Sequence, residues 1–300
     1  METLQVSNVS GITTSIQNLL NSEGPKKEEY SSIINMTNEL AIGMESGALS
    51  KDDLNHIRNL FNDDFLKKTM HGHSFSKPYG YAGDFMIIDK VYRKQVSTEY
   101  QKWDEFFHEV GAAHAVRNRK DYFKAALSKA CQHKNSPQLL NLASGPARDL
   151  LEFYQENPSI DLTTDCIEYD QKAINFAREL TSDYEDKITF TKGNVLRFQP
   201  EKKYDVIWSA GLFDYFNDEI FVKILKRTLT WAKAGGEIII GNFTPNNPSR
   251  NFMEVMLDWY LYHRDEDHLT DLAIKAGAKP SQVSIGREKA GVNLFLHIKL

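Results

Sequence analysis

From residue 136 onward, short apolar runs alternate with amphipathic stretches, and this alternation constrains the fold more than any other feature of the chain. Residues 139–142, 162–169, 188–192, 204–209 and 237–242 have strand length and strand composition. Residues 148–156, 171–180, 218–232 and 250–262 lie between or after them with apolar side chains at helical spacing. A strand–helix series of this kind predicts a parallel sheet covered on both faces. The end of the chain differs. Residues 282–287 and 292–298 flank the turn Glu288-Lys289-Ala290-Gly291, which predicts an antiparallel hairpin closing the sheet.

The preceding part reads as helical. Residues 12–20 and 30–44 carry apolar residues three and four apart, and Ser50 followed by Asp52 and Asp53 predicts a capped helix through Leu54, Ile57 and Leu60. The stretch HGHSFSKPYGYAGD, residues 71–84, interrupts with glycines and a proline and is expected to be irregular. Helical spacing returns over 85–92 and over 100–130. A chain of 300 residues accommodates two domains, here a helical cap or substrate domain over 1–130 and an α/β domain over 131–300.

Composition excludes several classes. The net charge is -5 with no run of five basic residues, which argues against a nucleic-acid partner. The two cysteines, Cys131 and Cys166, form no CxxC pair, so neither a zinc ribbon nor a disulfide framework is expected, and no metal is expected. His71 and His73 lack further ligand spacing. The N-terminus lacks a signal-peptide pattern, and no run of about 20 apolar residues exists, so a cytoplasmic protein with no membrane span is expected.

The chemistry gathers at the expected strand ends. After the first strand, LLNLASGPARDL places small residues at Ala143, Gly145 and Ala147 around Ser144, so a ligand can approach the backbone. The second strand ends in CIEYD, with Glu168 placed to accept ribose hydroxyls and Tyr169 beside it. KGNVLRF follows the third strand and offers Asn194 and Val195. YDVIWSAGLFDYF contains the fourth, leading into Ser209, Ala210, Gly211, Asp214 and Tyr215. No full GxGxxG exists and Pro146 follows Gly145, which favours S-adenosyl-L-methionine over a pyrophosphate-bearing dinucleotide.

With these residues in view, the chain resembles a bacterial family of class I methyltransferases often labelled 3-hydroxypalmitic acid methyl ester biosynthesis proteins. ASGPARDL, SAGLFDYF, GNFTPNNPSRNFME, DWYLYHR, GVNLFLHIKL, KPYGYAGDF and HAVRNRKDYF carry the resemblance over roughly residues 70–300. It implies a Rossmann-like class I methyltransferase sheet, parallel with a terminal antiparallel hairpin, plus an N-terminal helical domain. It also implies S-adenosyl-L-methionine as donor and S-adenosyl-L-homocysteine as product. In such enzymes Asn194 would meet the adenine, and Ser209, Ala210 and Gly211 the methionine part. Tyr79 stands where the family pattern has arginine.

The expected reaction is SN2 methyl transfer to a small molecule, with a (3-hydroxy) fatty acid carboxylate as one candidate acceptor. An O- or N-methyltransferase of another biosynthetic metabolite and a non-catalytic donor-binding module stay open. A carboxylate acceptor needs no general base, whereas a hydroxyl or amine can require one. Tyr81, Asp84 and Tyr215 are the candidate catalytic residues, with residues 71–84 as part of a lid. His73, Asp214, Asn242, Arg250, Tyr260 and Arg264 are the candidate acceptor-binding residues. Arg117 or Arg119 is expected to pair with the donor carboxylate, Arg117 being the first choice. The apolar faces of the helical part leave a homodimer open.

Overall fold

The computed structural model describes residues 9–132 and 134–300. Residues 1–8, on which the signal-peptide reading partly rests, lie outside the described residues. The chain divides into two compact units. One takes residues up to His114 together with Pro248–Tyr260, and the other takes Ala115–Asn247 and Leu261–Leu300.

The first unit is helical: α1 (Val9–Asn21), α2 (Tyr30–Glu45), α3 (Lys51–Arg58), α4 (Asp63–Lys68), α5 (Met70–Ser76), α6 (Phe85–Tyr92), α7 (Gln101–Glu109) and the start of α8 (Gly111–Cys131). Ser50 caps α3 as its sequence predicts, in a reciprocal box with Asp53. The expectation that 71–84 is irregular holds only for its second half, because residues 71–76 belong to α5. Gly72 does not break that helix. A Cβ there would lie 2.2 Å from the Leu66 carbonyl oxygen, so the glycine lets α4 and α5 touch backbone to backbone. The single helix expected over 100–130 is split at Val110, which is extended (φ -69°, ψ 148°). The distant Ser249 hydroxyl accepts the Ala112 amide at 2.8 Å and so caps the new helix.

The second unit is a seven-stranded sheet. Its strands are β1 (Gln138–Leu142), β2 (Thr163–Glu168), β3 (Ile188–Lys192), β4 (Tyr204–Ser209), β5 (Ala232–Phe243), β6 (Val283–Arg287) and β7 (Asn293–Lys299), in the order β3-β2-β1-β4-β5-β7-β6. The first five are parallel, and β7 runs antiparallel to both β5 and β6. Successive residues along a strand enter opposite cores. Leu140, Ile207, Ile238, Ile240, Leu294 and Leu296 pack with α11 (Asp218–Trp231) and α12 (Glu266–Ala276). Leu139, Val206, Trp208, Ile239 and Phe295 pack with α8, α9 (Arg148–Glu156) and α10 (Gln171–Leu180).

Two sequence expectations need correction here. The helix expected over 250–262 is a short segment around a π-helical turn, Phe252–Met256, and the chain leaves helical geometry at Asp258, whose φ is +50°. The helix α12 that follows was not anticipated. It is capped by the Asp265 side chain and ends at Gly277 in the left-handed region. Among the described residues no helix is long and apolar enough to cross a membrane.

Candidate active site

The sheet reverses its order between β1 and β4, since β1 pairs with β2 on one side and β4 on the other. In open α/β sheets the crevice beyond the carboxyl ends of such strands is where ligands bind. The turn leaving β1 has an unusual backbone. Ala143, Gly145 and Ala147 all adopt left-handed conformations, at φ of 55°, 54° and 52°. Two alanines therefore take backbone positions that glycine occupies without strain, at a cost of roughly 1–2 kcal/mol each. Nothing stands within 4 Å of where a Gly145 Cβ would be, so the backbone there borders open space.

Glu168, at the end of β2, faces this turn. One carboxylate oxygen accepts the Gly145 amide at 3.0 Å, and the other accepts the Tyr169 and Asp170 amides at 2.7 and 2.9 Å. Burial raises its pKa against these three stabilising amides. A carboxylate has about four acceptor sites, so one remains for a ligand hydroxyl. Tyr169 is 71% exposed and Asn194 is exposed, its side chain turned back on the Leu196 amide at 2.9 Å, while Val195 is buried.

Beyond β4, the buried Ser209 hydroxyl donates to the Leu142 carbonyl at 3.3 Å and ties the two strand ends together. The Ala210 carbonyl accepts from Arg119 Nη1 at 3.3 Å. A Cβ on Gly211 would lie 2.9 Å from the same nitrogen, so glycine makes room for the guanidinium. Arg119, the alternative to Arg117 in the sequence, thus lies at this strand end. It is buried, and its Nε has no hydrogen-bond partner. Two buried carboxylates share its electrostatic neighbourhood. Burial pushes Asp149 up to about 6 and Asp214 up to about 7, and Arg119 opposes both shifts. Asp149 was not anticipated, because an acid in the first turn of a helix usually reads as a solvated partner of the helix dipole.

Asp214, Asn242 and Arg264 form a buried frame where the β4 and β5 loops meet. Asp214 accepts the Phe243 amide on its side chain and the Tyr262 amide on its carbonyl, both at 2.7 Å. Asn242 donates to the Phe243 and Tyr262 carbonyls and accepts from Arg264. Tyr215, one residue beyond Asp214, is 40% exposed.

The remaining candidates belong to the first unit. Asp84 is buried as the cap of α6, accepting the Met86 and Ile87 amides at 2.9 Å, and it bonds His73 Nε2 at 2.9 Å. His73 Nδ1 faces Lys90 at 3.4 Å. Tyr81 is partly exposed on the loop after α5, and Tyr260 is exposed. Arg250 pairs with Glu254 one helical turn on, at 2.7 Å. His71 stands apart from His73, packed on Phe61 and Phe65 beside a cavity of about 20 Å³, with its pKa lowered to about 3 by burial. Among the described residues no group of three His, Cys, Asp or Glu side chains is placed to hold a metal ion.

Residues 139–236 match a family described as "Methyltransferase domain". Solved structures share the fold. A possible exported protein from Bordetella parapertussis is similar over 76% of this chain and 85% of its own, at 16% identity and a TM-score of 0.64. A putative O-methyltransferase from Nostoc punctiforme is similar over 76% of this chain and 69% of its own, at 12% identity and a TM-score of 0.51. The CMeT domain of the citrinin polyketide synthase is similar over 77% of this chain and 59% of its own, at 14% identity and a TM-score of 0.52. No curated protein matches the chain. With the matched domain lying on this sheet, the α/β unit is a class I methyltransferase domain. The chain is an S-adenosyl-L-methionine-dependent methyltransferase.

Proposed function

We propose that this enzyme methylates a small molecule and holds its donor between Glu168 and Arg119. The observation that carries the reading is the buried Arg119 guanidinium, whose Nε has no partner, at the strand end next to Gly211. An amino-acid carboxylate is the group such a guanidinium accommodates. Glu168, with a lone pair left over and the open backbone at Gly145 beside it, suits a ribose hydroxyl. Ala143 and Ser144 belong to the same turn, and Asn194 and Val195 suit the adenine.

The donor supplies an already activated methyl group, so the protein's own task is alignment and exclusion of water. Among the residues read as catalytic, Tyr215 is the one that the second unit itself carries beyond β4. The structural neighbour described as a putative O-methyltransferase favours an oxygen acceptor. The resemblance in the sequence makes a 3-hydroxy fatty acid carboxylate the first compound to try. The overall charge of -5 weighs against nucleic acid.

The test is calorimetric titration of S-adenosyl-L-homocysteine into wild type, Arg119→Ala and Glu168→Ala, followed by transfer of labelled methyl groups to a panel of acids, phenols and amines. Micromolar binding lost in both variants supports the donor reading. Wild-type binding that survives both substitutions refutes it. Transfer to amines and not to acids refutes the carboxylate acceptor.

A further inference from the structure

Arg264 is 1% exposed, and every nitrogen of its guanidinium is engaged within the second unit. Nε donates to Asp218 Oδ1 at 3.0 Å. Nη1 donates to Asn242 Oδ1 at 2.9 Å and to the Phe213 carbonyl at 3.3 Å. Nη2 donates to Asp218 Oδ1 at 2.9 Å and to the Phe216 carbonyl. The guanidinium carbon lies over the Phe221 ring, 4.8 Å from its centroid, and the Arg264 backbone amide donates to the Phe243 carbonyl at 2.9 Å. One side chain thus joins both ends of the turn at residues 213–216 to the end of β5 and the start of α11.

That turn follows directly on Ala210 and Gly211, the residues packed against Arg119. Asp214, inside the turn, feels both arginines. A guanidinium with no donor left over is poorly suited to bind an acceptor anion, whereas a planar fork that spans several carbonyls sets the position of a loop. We propose that Arg264 is a positioning residue: by fixing the turn at residues 213–216 it holds Arg119 in register for the amino-acid half of the donor, and it does not itself touch donor or acceptor. The inference rests on the donor site proposed above and deepens it.

Two ligands separate this role from general stability. S-adenosyl-L-homocysteine carries both halves of the donor, and 5′-methylthioadenosine carries only the nucleoside half. The wild type is expected to prefer the former by about tenfold or more, the worth of one charge-assisted contact. Arg264→Lys keeps the charge but not the planar fork. It is expected to bring that preference down to within about threefold while leaving 5′-methylthioadenosine affinity within about threefold of wild type. Asp218→Ala removes two of the guanidinium's bonds from a half-exposed partner. It gives a smaller loss in the same direction, and it decides the matter if Arg264→Lys does not fold. A preference unchanged in the variants, a parallel loss of both ligands, or a wild type that binds the two equally overturns the inference while leaving the nucleoside site standing. A wild type that binds neither ligand refutes the donor site itself, and the inference with it.

Discussion

The Gly145 amide and the Glu168 carboxylate meet at 3.0 Å across the ends of two neighbouring parallel strands. The bond sets the β1 turn against the carboxylate proposed to receive the ribose. Replacing Glu168 with glutamine keeps an acceptor for the turn but removes the charge. Hydrogen bonds to charged groups are worth about 1.5–3 kcal/mol, so S-adenosyl-L-homocysteine affinity in Glu168→Gln is expected to fall about tenfold or more, measured by calorimetry. In the proposed site a ribose hydroxyl would donate to the ionised carboxylate, and burial holds the Glu168 pKa above the ordinary glutamate value. Wild-type affinity is therefore expected to weaken as pH falls through that raised pKa, and the glutamine variant to show no such limb.

Asp214 provides a pH signature of the fold. Its pKa is pushed up to about 7 by burial, against the Phe243 amide, Arg119 and Arg264. Between pH 4 and pH 7 the unfolded chain has released this proton while the folded chain still holds it. Stability contributed by this group therefore falls as pH rises, and the loss is complete above pH 7. The shift corresponds to a change on the order of 3–4 kcal/mol. Asp214→Asn keeps an acceptor for the Phe243 amide and cannot ionise. Urea denaturation at pH 4.5 and pH 8 is expected to show the variant gaining relative to wild type at the higher pH by that order. An equal difference at both values removes the argument.

Asp84 bonds two amides of α6 and His73, all inside the helical unit. Removing its side chain leaves three polar groups without an acceptor. Asp84→Ala is expected to cost about 2–3 kcal/mol of stability, from a lost cap and an unsatisfied buried partner, with Asp84→Asn costing less than half as much. The check is the urea midpoint of each variant at pH 7.5. A destabilisation below about 0.5 kcal/mol would leave Asp84 free for the catalytic role that its sequence context evokes.

The strands of the sheet were readable because residues two apart share a face, as Leu140 and Leu142 do in one core and Val206 and Trp208 in the other. The place of Glu168 at a strand end was readable because the apolar run of β2 stops there. Arg119 could not be separated from Arg117 in the same way. The two lie two residues apart and so on different faces of α8, and only the packed structure shows which face meets Ala210. The helix α12 was missed because its cap, Asp265, follows immediately on Arg264, and the amphipathic spacing over 250–262 absorbed the signal. Arg264 itself reads as an anion binder in sequence. Apart from the neighbouring Tyr262 carbonyl, its partners come from two distant stretches, residues 213–218 and Asn242, that only the fold brings to it.

Gly72 shows how a breaker residue can be a contact. It sits inside α5 with the Leu66 backbone where its Cβ would be. Alanine normally favours a helix over glycine by about 1 kcal/mol. Here the obstruction is backbone rather than a flexible side chain, so α4 and α5 must separate to admit a methyl group. Gly72→Ala is expected to destabilise by about 1–3 kcal/mol, as overpacked sites do, seen as a lower urea midpoint. A stabilised variant would mean that the two helices separate freely.

Ala143 and Ala147 share a left-handed backbone but not an environment. Ala143 is exposed, whereas the Ala147 methyl is buried in the core built on Phe123, Leu150 and Trp208. Substituting glycine relieves strain of roughly 1–2 kcal/mol at either position, and costs about 0.5–1 kcal/mol in added freedom of the unfolded chain. Only at Ala147 does it also remove a buried methyl, worth about 0.8 kcal/mol or more once the cavity left behind is included. Ala143→Gly is therefore expected to leave stability unchanged or raise it by about 0.5 kcal/mol, and Ala147→Gly to lower it by a similar amount. Thermal denaturation of the pair side by side reads the difference. Equal shifts would mean that the backbone angle, not the methyl packing, decides both sites, and the left-handed alanines would then be costs carried for the turn's shape alone.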